Sequence, residues 1–347
     1  MTDEPMRLGV LTGGGDSPGL NAVLRGIARR GEHRFGDEVL GFLDGWQGLI
    51  DDRYLLLDTD RCRGILPLGG TIIGTSRVQP FAIAGGVERV RATMQRHRLD
   101  ALICIGGEGT LRATREMFEA GFPVVGVPKT IDNDIGGTER TFGFDTAVQI
   151  ATDAIDRLHT TAESHHRVMV VEVMGRHAGH IATWAGLAGG ATVTLVPEEP
   201  FDIEQVCARI ARRHAGGRFA SIVVVAEGAE PAAGTLGHPE RTIDEFGHVR
   251  LGGIGNVIAQ EIEKRTGIET RLTILGHVQR GGTPTAFDRV LSSWFGTEAV
   301  DAVHAGAFGQ MVSWQSGTVV LVPLAEAVRN LKHVSPRLLD VAREFFG

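Results

Sequence analysis

Along this chain, short apolar runs alternate with longer stretches in which apolar residues recur every third or fourth position. The first pattern is that of buried strands and the second that of amphipathic helices. Arg7 to Thr12 predicts a strand, followed by a glycine-rich turn and a helix near Gly19 to Arg30; Glu38 to Phe42 predicts a second strand. A helix over Gly86 to Arg98 leads to a strand at Ala101 to Ile105. A helix over Thr110 to Ala120 leads to the apolar run Phe122 to Val127, with a strand at Pro123 to Val127. After Gly143 the pattern restarts. A helix from about Phe144 to Thr161 precedes a strand at Arg167 to Val173, one near Gly179 to Leu187 precedes Ala191 to Val196, and one near Ile203 to His214 precedes Ser221 to Ala226. Pro284 to Ala305 reads as a further long helix and Pro336 to Phe346 as a shorter one. This alternation predicts an α/β fold with doubly wound, mostly parallel sheet, built as two successive units. Glu230 to Gly253 is rich in Gly, Pro and charge and has no period; it reads as a surface excursion or an inserted hairpin.

Composition narrows the class. The 347 residues suffice for about two domains, and 42% hydrophobic with 22% charged residues is ordinary for a soluble globular protein. A net charge of −7 gives no electrostatic case for nucleic-acid binding. Cys62, Cys104 and Cys207 are far apart and odd in number, which suggests neither a disulfide framework nor a metal site; Cys104 lies in an apolar strand as a small core residue. The apolar run Leu8 to Leu11 is too short for a signal peptide or a membrane span, so the expected location is cytoplasmic, with no membrane partner. The 48 glycines are near twice the usual share of about 7% and cluster at strand-to-helix turns, where backbone approaches a ligand or turns sharply.

Those turns carry the candidate chemistry. Thr12 to Asn21, TGGGDSPGLN, follows the first strand and opens a helix; consecutive glycines at a helix N-terminus form a natural phosphate site, although a tight turn capped by Asp16 or Ser17 would look the same. It is neither the Walker A pattern nor the dinucleotide fingerprint. Gly106 to Thr110, GGEGT, repeats the logic after another strand, with Glu108 able to hold Mg²⁺ beside phosphates and Thr110 able to cap the helix or donate to a phosphate. Pro128 to Asp134, PKTIDND, puts two carboxylates just past a strand end, where open α/β sheets place ligands; one can accept a proton while the other organises a metal or water. A polar turn that bonds its own backbone is the alternative there. Arg77 follows Gly74, Thr75 and Ser76, and Arg167, Arg176, Arg271, His277 and Arg280 are further candidate anion donors, their strand-end and glycine-rich settings favouring a phosphorylated substrate.

Together these segments resemble the phosphofructokinase family, whose members phosphorylate fructose 6-phosphate at its 1-hydroxyl. The match runs in order from about Gly9 to Ala305 and is carried by GGGDSPGLN, GGEGT, PKTIDND, GFDTA (Gly143 to Ala147), VEVMGR and GHVQRGG. The resemblance implies two Rossmann-like lobes with mostly parallel sheets and the active site in the cleft between them. Residues 1–143 with about 279–329 would form the phosphoryl-donor lobe, and about 144–278 with 330–347 the sugar-phosphate lobe. It further implies Asp132 as the base for the sugar 1-hydroxyl, Thr130 and Asp134 as groups positioning sugar and metal-bound phosphates, and Arg176 as a stabiliser of the transferring phosphoryl group. Gly14, Arg77, Glu108, Gly109 and Thr110 would hold the donor, with Glu108 at the Mg²⁺ position. Met174, Gly175, Arg176 and Glu227 would contact the sugar phosphate, and His277 and Arg280 its 6-phosphate. Arg167 and Arg271 would reach in from a neighbouring subunit, making a homo-oligomer, dimer or tetramer, part of the implied function.

The family divides into ATP users and pyrophosphate users. Gly109 resembles the former, leaving room for the nucleotide α-phosphate where pyrophosphate users typically have Asp; Lys129 resembles the latter, since ATP users typically have Gly there. Steric and like-charge exclusion is the harder filter, so the expected donor is ATP, with a pyrophosphate-dependent phosphotransferase as the alternative. Glu108 replaces the Asp common in bacterial ATP enzymes, which moves the carboxylate by a methylene. Arg25 and Arg29 match effector-site arginines of bacterial allosteric members, but His159 and Gly216 stand where those have Arg and Lys, so effector control by that route is not expected. PKTIDND and GHVQRGG argue against an NAD or lipid kinase, which shares the GGEGT-type loop, and the presence of Asp132, Asp134 and Glu108 argues against a silent sugar-phosphate or nucleotide sensor.

Overall fold

The computed structural model describes residues 4–236, 242–243, 249–250 and 253–345. The chain runs β1 (Arg7–Gly13), α1 (Leu20–Arg30), β2 (Glu38–Phe42), α2 (Trp46–Asp51), β3 (Tyr54–Leu56), α3 (Gly86–His97), β4 (Ala101–Gly106), α4 (Glu108–Glu119) and β5 (Val124–Pro128). There follow α5 (Phe144–His165), β6 (Val168–Val173), α6 (His180–Ala188), β7 (Val193–Leu195), α7 (Ile203–Ala215) and β8 (Ser221–Ala226). The two-residue strands β9 (Thr242–Ile243) and β10 (Val249–Arg250) pair antiparallel, and most of the Glu230 to Gly253 stretch beyond residue 236 lies outside the described residues. The chain closes with α8 (Ile254–Thr266), β11 (Thr270–Ile274), α9 (Ala286–His304), β12 (Gln310–Gln315), β13 (Thr318–Pro323), α10 (Leu324–Ala327) and α11 (Pro336–Phe345). Contacts divide it into two units, Met1–Thr146 with Arg280–Leu331, and Ala147–Gln279 with Lys332–Gly347.

In the first unit the sheet order is β13-β12-β5-β4-β1-β2-β3. Strands β12, β5, β4, β1 and β2 are parallel, and the edge strands β13 and β3 are antiparallel. The central strands read as unbroken apolar runs because both faces are covered by helices. The two-residue pleat sorts their side chains: Val10, Ile103 and Val125 join one apolar cluster with α1 and α9, while Leu11, Leu102 and Val124 join the opposite one with α3 and α4. Helices α1 and α9 meet at Gly26 and Gly296, where an added Cβ on Gly26 would lie 2.7 Å from the Ser293 carbonyl oxygen and one on Gly296 2.5 Å from that of Val23. Only a residue without a side chain permits that approach.

The second unit has a four-stranded, all-parallel sheet in the order β11-β6-β8-β7. Val168, Val170, Val223 and Val225 pack one of its faces against Ile203, Val206 and Ile210 of α7 and Ile254, Ile258 and Ile262 of α8. Glu172 on β6 is 2% exposed, and its carboxylate accepts from the Gly255 N–H at 2.8 Å and the Gly253 N–H at 3.3 Å, closing the N-terminus of α8.

The structure adds elements that the periodicity does not announce: α2, β3, α8, β11 and the β12–β13 hairpin. Strands β3, β11 and β13 are edges with partly exposed side chains; β3 spans only three residues, and in β11 Thr270, Arg271 and Thr273 interrupt the apolar pattern. Ser316 and Gly317 both have positive φ, the conformation a two-residue hairpin turn needs. Helix α5 continues beyond Thr161 to His165, and α4 starts at Glu108, so Glu108, Gly109 and Thr110 form a helical first turn.

Candidate active site

In an open α/β sheet the ligand crevice lies at the C-terminal ends of the strands where the winding direction reverses. In the first unit that point is between β1 and β4: the chain moves from β1 outward to β2, then returns to place β4 on the other side. The glycine-rich loops follow these two strands, and the PKTIDND loop follows β5 beside them.

The loops interlock. The Gly14 N–H donates to the Ser76 carbonyl at 2.8 Å, and the Thr75 hydroxyl donates to the Gly14 carbonyl at 2.7 Å, which brings the segment carrying Arg77 alongside the first loop. A Cβ at Gly13 would lie 2.6 Å from the Thr110 hydroxyl, so the glycine there is what lets α4 approach β1. Gly107 precedes α4 without a side-chain cap, leaving its first-turn N–H groups to an anion. At Gly109 an added Cβ would meet only the flexible Gln79 amide nitrogen at 3.3 Å, so the position is open. The Glu108 carboxylate pairs with Arg112 one turn along the helix.

Beside them, Lys129 is buried and donates from Nζ to the Gly15 carbonyl. Burial, reinforced by the positive charge of Arg280, pulls its pKa down to about 7, against the opposing pull of Asp16, Asp132 and Asp134. Arg280 itself belongs to this unit: its Nη1 donates to the Asp16 carbonyl at 3.2 Å. The loop's own scaffold is Asn133, which takes positive φ and accepts from the Thr141 N–H at 3.0 Å, so the two aspartates flank a pinned residue. The Thr130 hydroxyl accepts from the Asp132 N–H at 3.1 Å.

In the second unit the chain leaves β6 for the edge strand β7 and returns through β8 to β11. Past the ends of adjacent β6 and β8, the Glu227 N–H donates to the Val173 carbonyl at 2.9 Å and the Gly228 N–H to the Gly175 carbonyl at 3.1 Å, setting Met174, Gly175 and Arg176 beside Glu227. His277 lies in the short helical turn Gly276–Arg280 after β11. Gln279, fully buried, ties the turn to that group: its Oε1 accepts from the Met174 N–H at 3.3 Å and its Nε2 donates to the Gly276 carbonyl at 3.0 Å. Arg167 precedes β6, at the opposite end of the strand from Met174; at about 3.3 Å per residue the two backbones are roughly 20 Å apart. Arg271, near the start of β11, shares that far edge. The unit therefore brings Met174, Gly175, Arg176, Glu227 and His277 to one edge and sets Arg167 and Arg271 apart from them. Of the effector-type positions, His159 is committed to the Gly189 carbonyl at 2.6 Å.

Sequence reasoning passed over Gln79, Gln279 and Glu269. Gln279 lies inside GHVQRGG and Glu269 two residues before Arg271, but a buried amide and a shared carboxylate leave no spacing signal.

Comparison with known proteins gives one answer on family. The phosphofructokinase family model matches residues 7–303. The chain is 56% identical over 343 residues to a pyrophosphate–fructose 6-phosphate 1-phosphotransferase of Streptomyces coelicolor, covering 99% of this chain and 100% of the relative. It is 54% identical over 343 residues to an ATP-dependent 6-phosphofructokinase of Mycobacterium leprae, with the same coverage. Among solved structures it is similar to Pichia pastoris phosphofructokinase in the T-state, with a TM-score of 0.81 and 31% identity, over 98% of this chain and 36% of that longer one.

Proposed function

The chain belongs to the phosphofructokinase family, and from that premise we propose that it transfers the γ-phosphoryl group of ATP to the 1-hydroxyl of fructose 6-phosphate, giving fructose 1,6-bisphosphate and ADP. The observation that carries the donor reading is Gly109 in the uncapped first turn of α4, open to a bulky polyphosphate and flanked by the Gly14 loop and Thr110. Phosphoryl transfer asks mainly for alignment, charge neutralisation and a positioned base. Asp132 takes the proton of the 1-hydroxyl as its oxygen bonds to the γ-phosphorus, and the bond to the ADP oxygen breaks. Thr130 and Asp134 position the sugar and the phosphates, and Gly14, Arg77, Glu108, Gly109 and Thr110 hold the donor. Met174, Gly175, Arg176 and Glu227 contact the sugar phosphate, with Arg176 stabilising charge on the transferring group. His277 and Arg280 bind the 6-phosphate.

Among the described residues no three-carboxylate or histidine cage stands ready for a metal. That fits Mg²⁺, which takes one or two protein carboxylates and completes its shell with water and substrate phosphates. Glu108 would hold it, with Asp134 positioning the phosphates it binds, and when bound it neutralises phosphate charge. The separation of Arg167 and Arg271 from the Met174–Glu227 edge supports their service to the site of a second copy, hence a homo-oligomer.

Pyrophosphate is the second reading, favoured by the buried Lys129 and by the name of the Streptomyces coelicolor relative. The base assignment is tested by Asp132→Asn. The variant keeps its fold and sugar-phosphate binding and loses roughly 10²-fold or more in turnover, the usual range for a general base; near-normal turnover would refute the role.

A further inference from the structure

At the start of β6 and β11, one carboxylate is held between two guanidiniums. Glu269 Oε2 accepts from Arg167 Nε at 2.6 Å, and its other oxygen, Oε1, accepts from Arg271 Nη2. The parallel ladder fixes the backbone beneath them, with the Val168 N–H donating to the Glu269 carbonyl at 3.0 Å and Thr270 standing opposite Val168. Arg271 Nη1 also donates to the Thr270 carbonyl at 3.3 Å. The three side chains are partly exposed, at 25% for Arg167, 38% for Glu269 and 54% for Arg271. The hydrogen bond from Arg167, with the charge of both arginines, holds the Glu269 carboxyl below the usual carboxylate range, so it is an anion at neutral pH.

Exposed ion pairs of this kind add little to stability, so the fold alone gives no reason for the triad. Its geometry does. The carboxylate takes the Nε edge of Arg167 and one terminal nitrogen of Arg271, and a guanidinium carries five N–H donors. Both arginines thus keep donors for an anion while losing much of the rotamer freedom that binding would otherwise have to freeze. We propose that Glu269 is a positioning residue that holds Arg167 and Arg271 as a prearranged pair for the phosphate of the sugar substrate bound by a second copy of this chain. The proposal rests on the reading of those two arginines given above.

The test compares Glu269→Gln, Glu269→Ala and Glu269→Asp with Arg271→Ala in the full-length protein, by steady-state kinetics in fructose 6-phosphate. An amide at 269 accepts from one arginine and turns its NH₂ toward the other, so Glu269→Gln and Glu269→Ala raise KM roughly fivefold to tenfold, the scale of a lost charge-assisted contact. The turnover number changes less than KM, the melting temperature moves by no more than about 2 °C, and Glu269→Asp recovers part of the affinity. A raised KM in Arg271→Ala with an unchanged or lowered KM in Glu269→Gln overturns the positioning role and leaves the arginines in place. An unchanged KM in Arg271→Ala overturns the underlying reading of the site, and the proposal with it.

Discussion

Replacing Lys129 with methionine removes a charge that the fold encloses at a cost. The lysine is 3% exposed and its pKa falls from 10.5 to about 7, chiefly through burial. At about 1.36 kcal/mol per unit such a depression corresponds to roughly 5 kcal/mol at full effect, and relaxation of the site leaves about 2–5 kcal/mol. Unfolded, the lysine stays protonated up to its ordinary value; folded, it loses its proton above about pH 7. Between those limits the unfolded state binds more protons, so stability rises with pH, by up to about 1.4 kcal/mol per unit. Below pH 7 the folded lysine is charged and the penalty is complete. Methionine has a similar length and no charge to bury. Lys129→Met is therefore more stable than the parent by about 2–5 kcal/mol near pH 6.5, and the gap narrows as pH rises toward 9.5. Urea unfolding of both proteins at several pH values, without substrates, reads this directly. Parallel stability curves, or a Met variant less stable at pH 6.5, would show that the ammonium is not held in a desolvated site.

Gly109→Asp keeps the fold, since its Cβ meets only the Gln79 amide at 3.3 Å and an acid in a helical first turn adds about 0.3–1 kcal/mol. Like charges at about 5 Å and an effective dielectric near 20 repel by about 3 kcal/mol, so if the donor's phosphates lie against this turn as proposed, kcat/KM for ATP falls roughly 10²-fold; a fall of less than about threefold would refute the proposed donor position. Gly296→Ala sets a methyl 2.5 Å from the Val23 carbonyl oxygen and destabilises by about 1–3 kcal/mol. Thermal unfolding checks it, and an unchanged melting temperature would mean that α1 and α9 can separate freely.

What the sequence reveals follows from burial. Strands covered on both faces, such as Ala101–Gly106 and Val124–Pro128, are apolar throughout and show themselves as runs. The edge strand Thr270–Ile274 does not: Thr270, Arg271 and Thr273 break its apolar pattern, and its side chains are partly exposed. The glycine-rich segments are legible for the same reason that they are tight, since Gly13 and Gly106 must both clear Thr110. Partnership between distant side chains leaves no such trace. Nothing in PKTIDND says that Lys129 is buried against Gly15, nothing in VEVMGR says that Glu172 closes the N-terminus of α8, and nothing in the spacing of Arg167 and Arg271 says that they share Glu269.

The central claim is a phosphoryl transfer from ATP to fructose 6-phosphate. Its most direct test is fructose 1,6-bisphosphate formation from fructose 6-phosphate and Mg²⁺, with ATP and pyrophosphate supplied separately at equal concentration. Formation with ATP, and little with pyrophosphate, is the predicted result and makes the open position at Gly109 decisive. Formation with pyrophosphate alone would contradict it and make Lys129 the residue that selects the donor.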